Sequence, residues 1–449
     1  MRVVSTYVVG TVLAMGILSM STAAETTFSE FDVNQVGTPA ADAPRILPWK
    51  VVPLDPEYAG LWVVAGDLDG DGQPDIVSAQ NHNEGDVHYT CTAVAQRLDG
   101  EVLWRWGDPS VGRKTLHHDV ACQIHDWDSD GRPEVIVCDK QAIVELDGVT
   151  GKERRRIPIE DGASDCLVFC NLSGGDQPSD VLVKDRYSRI WAYNREGALL
   201  WNIENPGGYR TAHQPRPMDI DGDGRDEIMA GYAMLNPDGS VRWVFASEKV
   251  DLKRGHLDCA RVVRRGPTPE DWRIVVTCCG AEAIAFVDGT GRRLWELAGH
   301  HFESVDVGRV MPARDSLQLV VDIDHRPQGE GPFWIIDESG EAIGQIMTDY
   351  ARQHILVDWT GDGFAEIAVA QHGALYGHDG RCVGVFAIGD PAKGATGSGS
   401  IVFAGDMTGD GVADVAITTL DSLYIYRNEH GKKPDVAPSL GTEPNFTLY

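Results

Sequence analysis

The chain has 449 residues, with 39 Lys and Arg against 68 Asp and Glu and a formal net charge of −29. That balance excludes nucleic acid and anionic membranes as partners, while a hydrophobic content of 42% is ordinary for a protein with a sizeable core. The length exceeds one average domain, and a repeat architecture can absorb it in a single body.

The first residues read as a secretory signal peptide over 1–24: Arg2, an apolar run over 7–18, then the small residues Ser21, Thr22, Ala23 and Ala24. The run is shorter than the ~20 apolar residues a spanning helix needs. A cleaved leader is therefore expected in preference to a membrane anchor, no later stretch is apolar enough to span, and the protein is expected to be secreted or periplasmic.

From Gly66 one motif is written five times: GDLDGDGQPDIV, then HDWDSDGRPEVIV from His125, MDIDGDGRDEIM from Met218, VDWTGDGFAEIAV from Val357 and GDMTGDGVADVAI from Gly405. Degenerate copies begin at Cys170, Cys259 and Val305, so eight units follow one another at intervals of roughly 40 to 60 residues. Each copy is a short apolar strand, a carboxylate turn and a second apolar strand. A hairpin signal follows, as in VAQRLDGEVLWRW or AIAFVDGTGRRLWEL.

Four strands repeated eight times predict an all-β, eight-bladed β-propeller; a seven-bladed ring with one decorated blade is the alternative. The propeller body is expected over 57–434. The last unit lacks a clear fourth strand, which either WKVVPL in the N-terminal segment 25–56 or NFTLY in the tail 435–449 can supply, removing the exposed edge. A ring closed on itself is expected to be a monomer.

The best turns read D-x-D-x-D-G-x-x-D/E: Asp67, Asp69, Asp71 and Asp75; Asp126, Asp128, Asp130 and Glu134; Asp219, Asp221, Asp223 and Glu227. Alternate positions of a tight loop bring carboxylates to one concave side, the pattern of an all-oxygen site for Ca²⁺. In the last two copies Thr360 and Thr408 replace an acid, so Asp358, Asp362 and Glu366, and Asp406, Asp410 and Asp414, are expected to bind more weakly. A motif used in at least five blades is a structural staple, not a catalytic device.

The start of strand one and the loop between strands two and three must lie at the face opposite these turns. Those positions carry Asn81, His82, His117, His118, Lys140, Arg186, Tyr187, Tyr209, Arg210, His213, His256, Asp258, His300, His301, His325, Arg326, Arg352, His354 and His372. Ten of the chain's 14 histidines fall there, and His88, His125, His378 and His430 fall elsewhere. Loops on one face of a rigid scaffold are where a binding site is built. Arg and His there suit a carboxylated ligand.

Nine cysteines in an exported chain leave at least one unpaired. Cys122 and Cys138 sit on neighbouring strands as a possible disulfide, and buried thiols are the plainer expectation. A Zn²⁺ site from His256 with Cys259, or His301 with Cys278 and Cys279, is a minor alternative. Trp104, Trp201, Trp243 and Trp295 end hairpins, a position suited to packing between blades.

The carboxylate turns, the HHDVA and GHHFESVDVG segments and the terminal NFTLY together resemble the β-propeller polysaccharide lyases, the rhamnogalacturonan and ulvan lyases, over nearly all of the chain after the leader. The turns alone are shared with FG-GAP propellers, so the histidine face discriminates. The resemblance implies β-elimination on an anionic uronate polysaccharide. It places a working set on four adjacent blades: His82, His118 and Tyr187 with Arg210, where His118 and Tyr187 exchange protons and Arg210 neutralises the carboxylate. Asn81, His117, Lys140, Arg186, Tyr209, His213, His256, His301, His325, Arg326, Arg352 and His354 are then the substrate-binding candidates. A non-catalytic glycan-binding or adhesion propeller is the competing class. A quinoprotein dehydrogenase fits less well, because it requires stacking tryptophans in the channel.

Overall fold

The structure is a computed structural model that describes residues 43–115, 118–245, 255–324, 331–347, 353–389, 399–432 and 445–449, together with the backbone of a strand at Val33–Gln35. The expected leader and the candidates His117, His325, Arg326 and Arg352 lie outside the described residues. Among the described residues there are eight sheets and no α-helix, and no helix is long and apolar enough to cross a membrane. Eight sheets decide for the eight-bladed ring over the seven-bladed alternative.

In blades 1 to 7 the four repeat strands run from the axis outward in chain order. The inner strands are Trp62–Gly66, Cys122–His125, Cys166–Cys170, Thr211–Met218, His256–Arg264, His301–Gly308, Ile355–Val357 and Ile401–Gly405. Middle strands such as Glu134–Cys138 and Asp180–Lys184 are buried at every position, because a neighbouring blade covers each face. Hence the repeats read as apolar runs and not as an alternation. Outer strands such as Leu199–Glu204 alternate, with one face in water.

Tryptophans of the outer strands lock successive blades together. The indole N–H groups of Trp104, Trp201, Trp243 and Trp295 donate across the blade boundary to the carbonyls of Gly148 (2.7 Å), Pro237 (2.9 Å), Gly289 (3.0 Å) and Glu338 (3.0 Å). Each ring lies on a turn glycine; at Gly291, with φ +81°, an added Cβ would come within 2.5 Å of the Trp243 ring. These indoles therefore pack between blades and not in the channel. Trp104→Ala is expected to destabilise the fold by about 3–5 kcal/mol, read as a lower midpoint in denaturant.

Blade 8 takes its fourth strand from the other end of the chain: Lys50–Pro53 pairs antiparallel with Ser422–Tyr426. Just before it, Val33–Gln35 and Arg45–Ile46 run parallel to the outer strands of blades 6 and 7. The segment 445–449 adds no strand there; it runs along the axis instead. Asn445 donates to the Phe169 carbonyl (2.8 Å) and accepts its N–H (2.6 Å), and the Phe446 carbonyl accepts from Gln123 (2.9 Å) and Gln214 (3.1 Å). Thr447 and the Leu448 N–H donate to Asp119 (2.7 and 2.8 Å), and the Phe446 ring sits 4.8 Å from that of Trp62.

All nine cysteines are free thiols. The disulfide suggested for Cys122 and Cys138 does not form, because the register sets Cys122 opposite Val137. Adjacent strand positions point to opposite faces, so the two thiols enter different core clusters.

Candidate functional site

The carboxylate turns lie on one face of the ring and share one construction. Asp67 accepts the N–H groups of Gly70 (2.8 Å) and Gly72 (2.9 Å), and the closing Asp75 accepts that of Leu68 (3.1 Å). Asp126 with Glu134, Asp219 with Glu227, and Asp406 with Asp414 repeat the scheme. Three sets hold carboxylate oxygens within 4.8 Å of one another: Asp67, Asp69 and Asp71; Asp126, Asp128 and Glu134; Asp219, Asp221 and Glu227. Burial, aided by the neighbouring acids, pushes Asp75 up to about 6 and Glu134 and Glu227 up to about 7.

An arginine already stands at each of these turns. Arg97 reaches Asp69 (2.6 Å), Arg154 reaches Glu134 (2.5 Å) and Arg242 bridges Asp221 (2.9 Å) and Glu227 (2.8 Å). In the Thr-containing turns, Thr360 donates to Glu366 (3.0 Å) and Arg427 pairs with Asp410 (3.0 Å). Asp358 accepts the Gly363 N–H through Oδ2 (3.1 Å) and Asp362 that of Phe364 (2.9 Å), while Asp358 Oδ1 is buried without a hydrogen-bond partner.

The opposite face brings together most of the described His, Arg and Tyr candidates in one connected network. Its centre is Asp258, 3% exposed, on the inner strand of blade 5. Its carboxylate lies 3.1 Å from His256 Nε2, 3.4 Å from His213 Nε2 and 3.6 Å from His301 Nε2. The Nε2 atoms of His213 and His256 face each other at 3.2 Å. Two overlapping donor groups result, His213, His256 and Asp258, and Asp258, Cys279 and His301, each within 4.8 Å.

His256 and Asp258 converge because alternate strand residues share a face. The same rule turns Cys259 away, toward the Val305 carbonyl, and Cys278 Sγ faces the Val276 carbonyl. Of the thiols weighed from the sequence, Cys279 is the one in reach. Burial alone would raise the Asp258 carboxyl, but the hydrogen bonds from His213 and His256 outweigh it and hold it well below the carboxylate range. Burial pushes His213 down to about 3, with the Arg186 and His256 charges adding to the effect. Asp258 Oδ2 is buried without a hydrogen bond, which fits a site built to receive a cation.

From this centre the network extends toward blades 3, 2 and 1. The Tyr187 ring lies 5.0 Å from His256, with the Arg210 guanidinium 4.8 Å and that of Arg186 5.2 Å from its centre. Arg186 reaches Asp165 (3.4 Å), which also pairs with Lys184 (3.1 Å) and His88 (2.7 Å), and His88 stacks on His118 at 4.1 Å. His118 Nε2 lies 3.3 Å from Asn81 Nδ2. Burial would raise Asp165, but Lys184, His88 and Arg186 drive it well below the usual range.

His82, expected at the centre, stands apart: it stacks on Tyr89 (4.7 Å) and its Nδ1 lies 3.2 Å from the Val111 carbonyl. The NHNEGDVHYTCT stretch lengthens the blade 1 hairpin to Asp75–Glu84 and Val87–Arg97. That extension carries His88, and not His82, onto His118. Tyr209 packs on Tyr232 (5.1 Å), His354 against Phe333 (5.0 Å), and Lys140 is exposed at the rim. Sequence reasoning missed His88, Asp165, Lys184 and Tyr449, whose ring stacks on His213 at 4.3 Å.

No family model matches the chain. It is 25% identical over 377 residues to the rhamnogalacturonan endolyase YesW of Bacillus subtilis (strain 168), covering 66% of this chain and 57% of that one. It is also 25% identical over 383 residues to the rhamnogalacturonan exolyase YesX of the same organism, covering 69% and 60%. The chain thus spans less than two thirds of the length of these relatives. The solved rhamnogalacturonan lyase PL11 of Bacillus licheniformis superposes with a TM-score of 0.60 at 19% identity, over 88% of this chain and 80% of the other, a likeness of fold. The chain is an eight-bladed β-propeller homologous to rhamnogalacturonan lyases.

Proposed function

We propose that the protein is an exported polysaccharide lyase that cleaves a uronate polysaccharide of the rhamnogalacturonan type by β-elimination. The observation that carries this reading is the convergence of Tyr187 and Arg210 on the His213, His256 and Asp258 cluster. A uronate carboxylate next to the scissile C4–O bond must be neutralised for its C5 proton to leave, since the developing enolate carries the charge. Arg210 supplies a guanidinium there. A divalent cation held by His213, His256 and Asp258, with Cys279 and His301 in reach, would add to that neutralisation, and imidazole, carboxylate and thiol suit zinc.

Tyr187, half-exposed beside the Arg210 guanidinium, receives the C5 proton as its phenolate and ends the step as the phenol. The C5–H electron pair becomes the C4=C5 double bond, and the C4–O pair leaves with the departing oxygen. That oxygen takes a proton from His118 as its imidazolium, directly or through one water, and leaves the ring neutral against His88.

The test is a panel of rhamnogalacturonan, ulvan and neutral polysaccharides, read by the absorbance of unsaturated uronate. Product from rhamnogalacturonan and its loss in Tyr187→Phe, with the fold intact, are expected. Binding without unsaturated product would favour a glycan-binding propeller, the reading that the carboxylate turns support equally.

At the three full turns the reading includes structural Ca²⁺. Binding to the native state alone adds about 2.7 kcal/mol per site at a hundredfold excess over Kd. Chelation is therefore expected to lower the thermal midpoint by roughly 5 °C or more. An unchanged midpoint on chelation and on calcium addition would mean that Arg97, Arg154 and Arg242 are the counter-charges these turns use.

A further inference from the structure

On the face opposite the histidines a cavity of about 630 Å³ opens between blades 3, 4 and 5, floored by Phe169 and Asn445. Four arginines line it: Arg216 near the end of the blade 4 inner strand, and Arg261, Arg264 and Arg265 at and just beyond the end of the blade 5 inner strand. In a chain of net charge −29 this is a local concentration of positive charge, and a concave wall focuses its field. Asp226 is the acid in the lining, and it accepts the Asn171 N–H at 2.7 Å.

Arg264 pairs with Glu338, Arg261 lies 3.8 Å from Asp306 and donates to the Ala260 carbonyl (3.2 Å), and Arg265 lies over the Trp272 ring at 5.9 Å. A guanidinium has five N–H donors in a fixed fork, so such contacts orient it. Pro178, Pro217, Val262 and Val263 supply apolar wall between the charges.

We propose that this cavity is a second, non-catalytic binding site for a carboxylated sugar, an acidic mono- or disaccharide unit of a polymer. Planar guanidiniums match a carboxylate in bidentate fashion. The apolar wall suits the C–H face of a pyranose, and Asp226 accepts from sugar hydroxyls while opposing a multiply charged phosphate. The volume far exceeds what an inorganic anion fills. His256 opens the same strand that Arg264 ends, and eight residues at ~3.3 Å each put the two sites some ~26 Å apart. One glycan residue cannot touch both, so the site anchors a polymer around the rim of the ring. The choice of a uronate as ligand rests on the lyase reading; the existence of an anion site does not.

The test is calorimetric titration of the full chain with digalacturonate, and separately with inorganic phosphate, in an Asp258→Ala background that slows turnover. Digalacturonate is expected to bind, with at least a tenfold loss of affinity in Arg264→Gln/Arg265→Gln. That double variant, made in the otherwise native chain, is expected to form unsaturated product from short soluble substrate at the native rate. Matching thermal midpoints establish that it folds. No digalacturonate binding, binding indifferent to the double variant, or phosphate binding as tightly at the same residues would each overturn the proposal. Absence of unsaturated product with this binding intact would remove the lyase reading and leave the site standing.

Discussion

Asp258→Ala is expected to cut formation of unsaturated uronate by about a hundredfold to a thousandfold, the scale of losing the positive charge that Asp258, with His213 and His256, would hold against the developing enolate. The carboxylate is the shared element of both donor groups, lying within 3.6 Å of His213, His256 and His301. Without it His213 and His256 lose the carboxylate they share, His301 keeps Glu303 at 2.9 Å, and any cation bound by His213 and His256 loses the carboxylate of that donor group. Metal content, measured after dialysis against zinc or calcium, should fall with activity. Asp258→Asn is the more informative variant, since it keeps the shape and removes the charge. If it retained full activity, the electrostatic role assigned to Asp258 would be wrong.

Asp165→Ala is expected to destabilise the protein by about 3–5 kcal/mol, because removing one member of a buried ion pair strands the other. Lys184 is 1% exposed and Asp165 3%, and the same carboxylate holds His88 and Arg186. Through His88 the loss reaches the ring stacked on His118, so turnover should fall as well. The pH dependence has a definite sign. Asp165 is depressed in the folded state, so its contribution is full above the ordinary carboxylate range and is lost only as pH falls through its lowered pKa. Between pH 5 and 8 the Asp165 carboxyl itself adds no slope to the wild-type minus variant difference. A Lys184→Met/Asp165→Leu pair that restored stability but not activity would separate the packing role from the positioning role.

Much of the ring was legible because its signals are local and repeated. Asp67 and Gly72, or Asp219 and Gly224, make one turn within five residues, and that turn fixes which strand ends lie on which face. Strand alternation then decides that His256 and Asp258 face the site while Cys259 does not. Distant pairings carried no such signal. Nothing near His88 announces Asp165, 77 residues on, and nothing near Asp119 announces Leu448. The resemblance places His82 in the working set by blade position alone, and the extended blade 1 hairpin sets it apart from His118; a Cys122–Cys138 bond turns on a one-residue register difference that is invisible without the partner strand.

The pairing of Lys50–Pro53 with the last blade has a consequence for how the chain is made. Neighbouring blades can assemble as they leave the ribosome, since their contacts are short in sequence. Closure cannot, because the strand that completes blade 8 is synthesised before blade 1 and must wait until the final repeat has emerged. For that interval the nascent chain is an open arc with a bare strand at one end and an unfilled axis, which the 445–449 segment occupies only at the end. Such long-range closure is slow and exposes edges to other chains. Refolding yield should therefore fall with protein concentration, with one late phase common to intrinsic fluorescence and protease resistance.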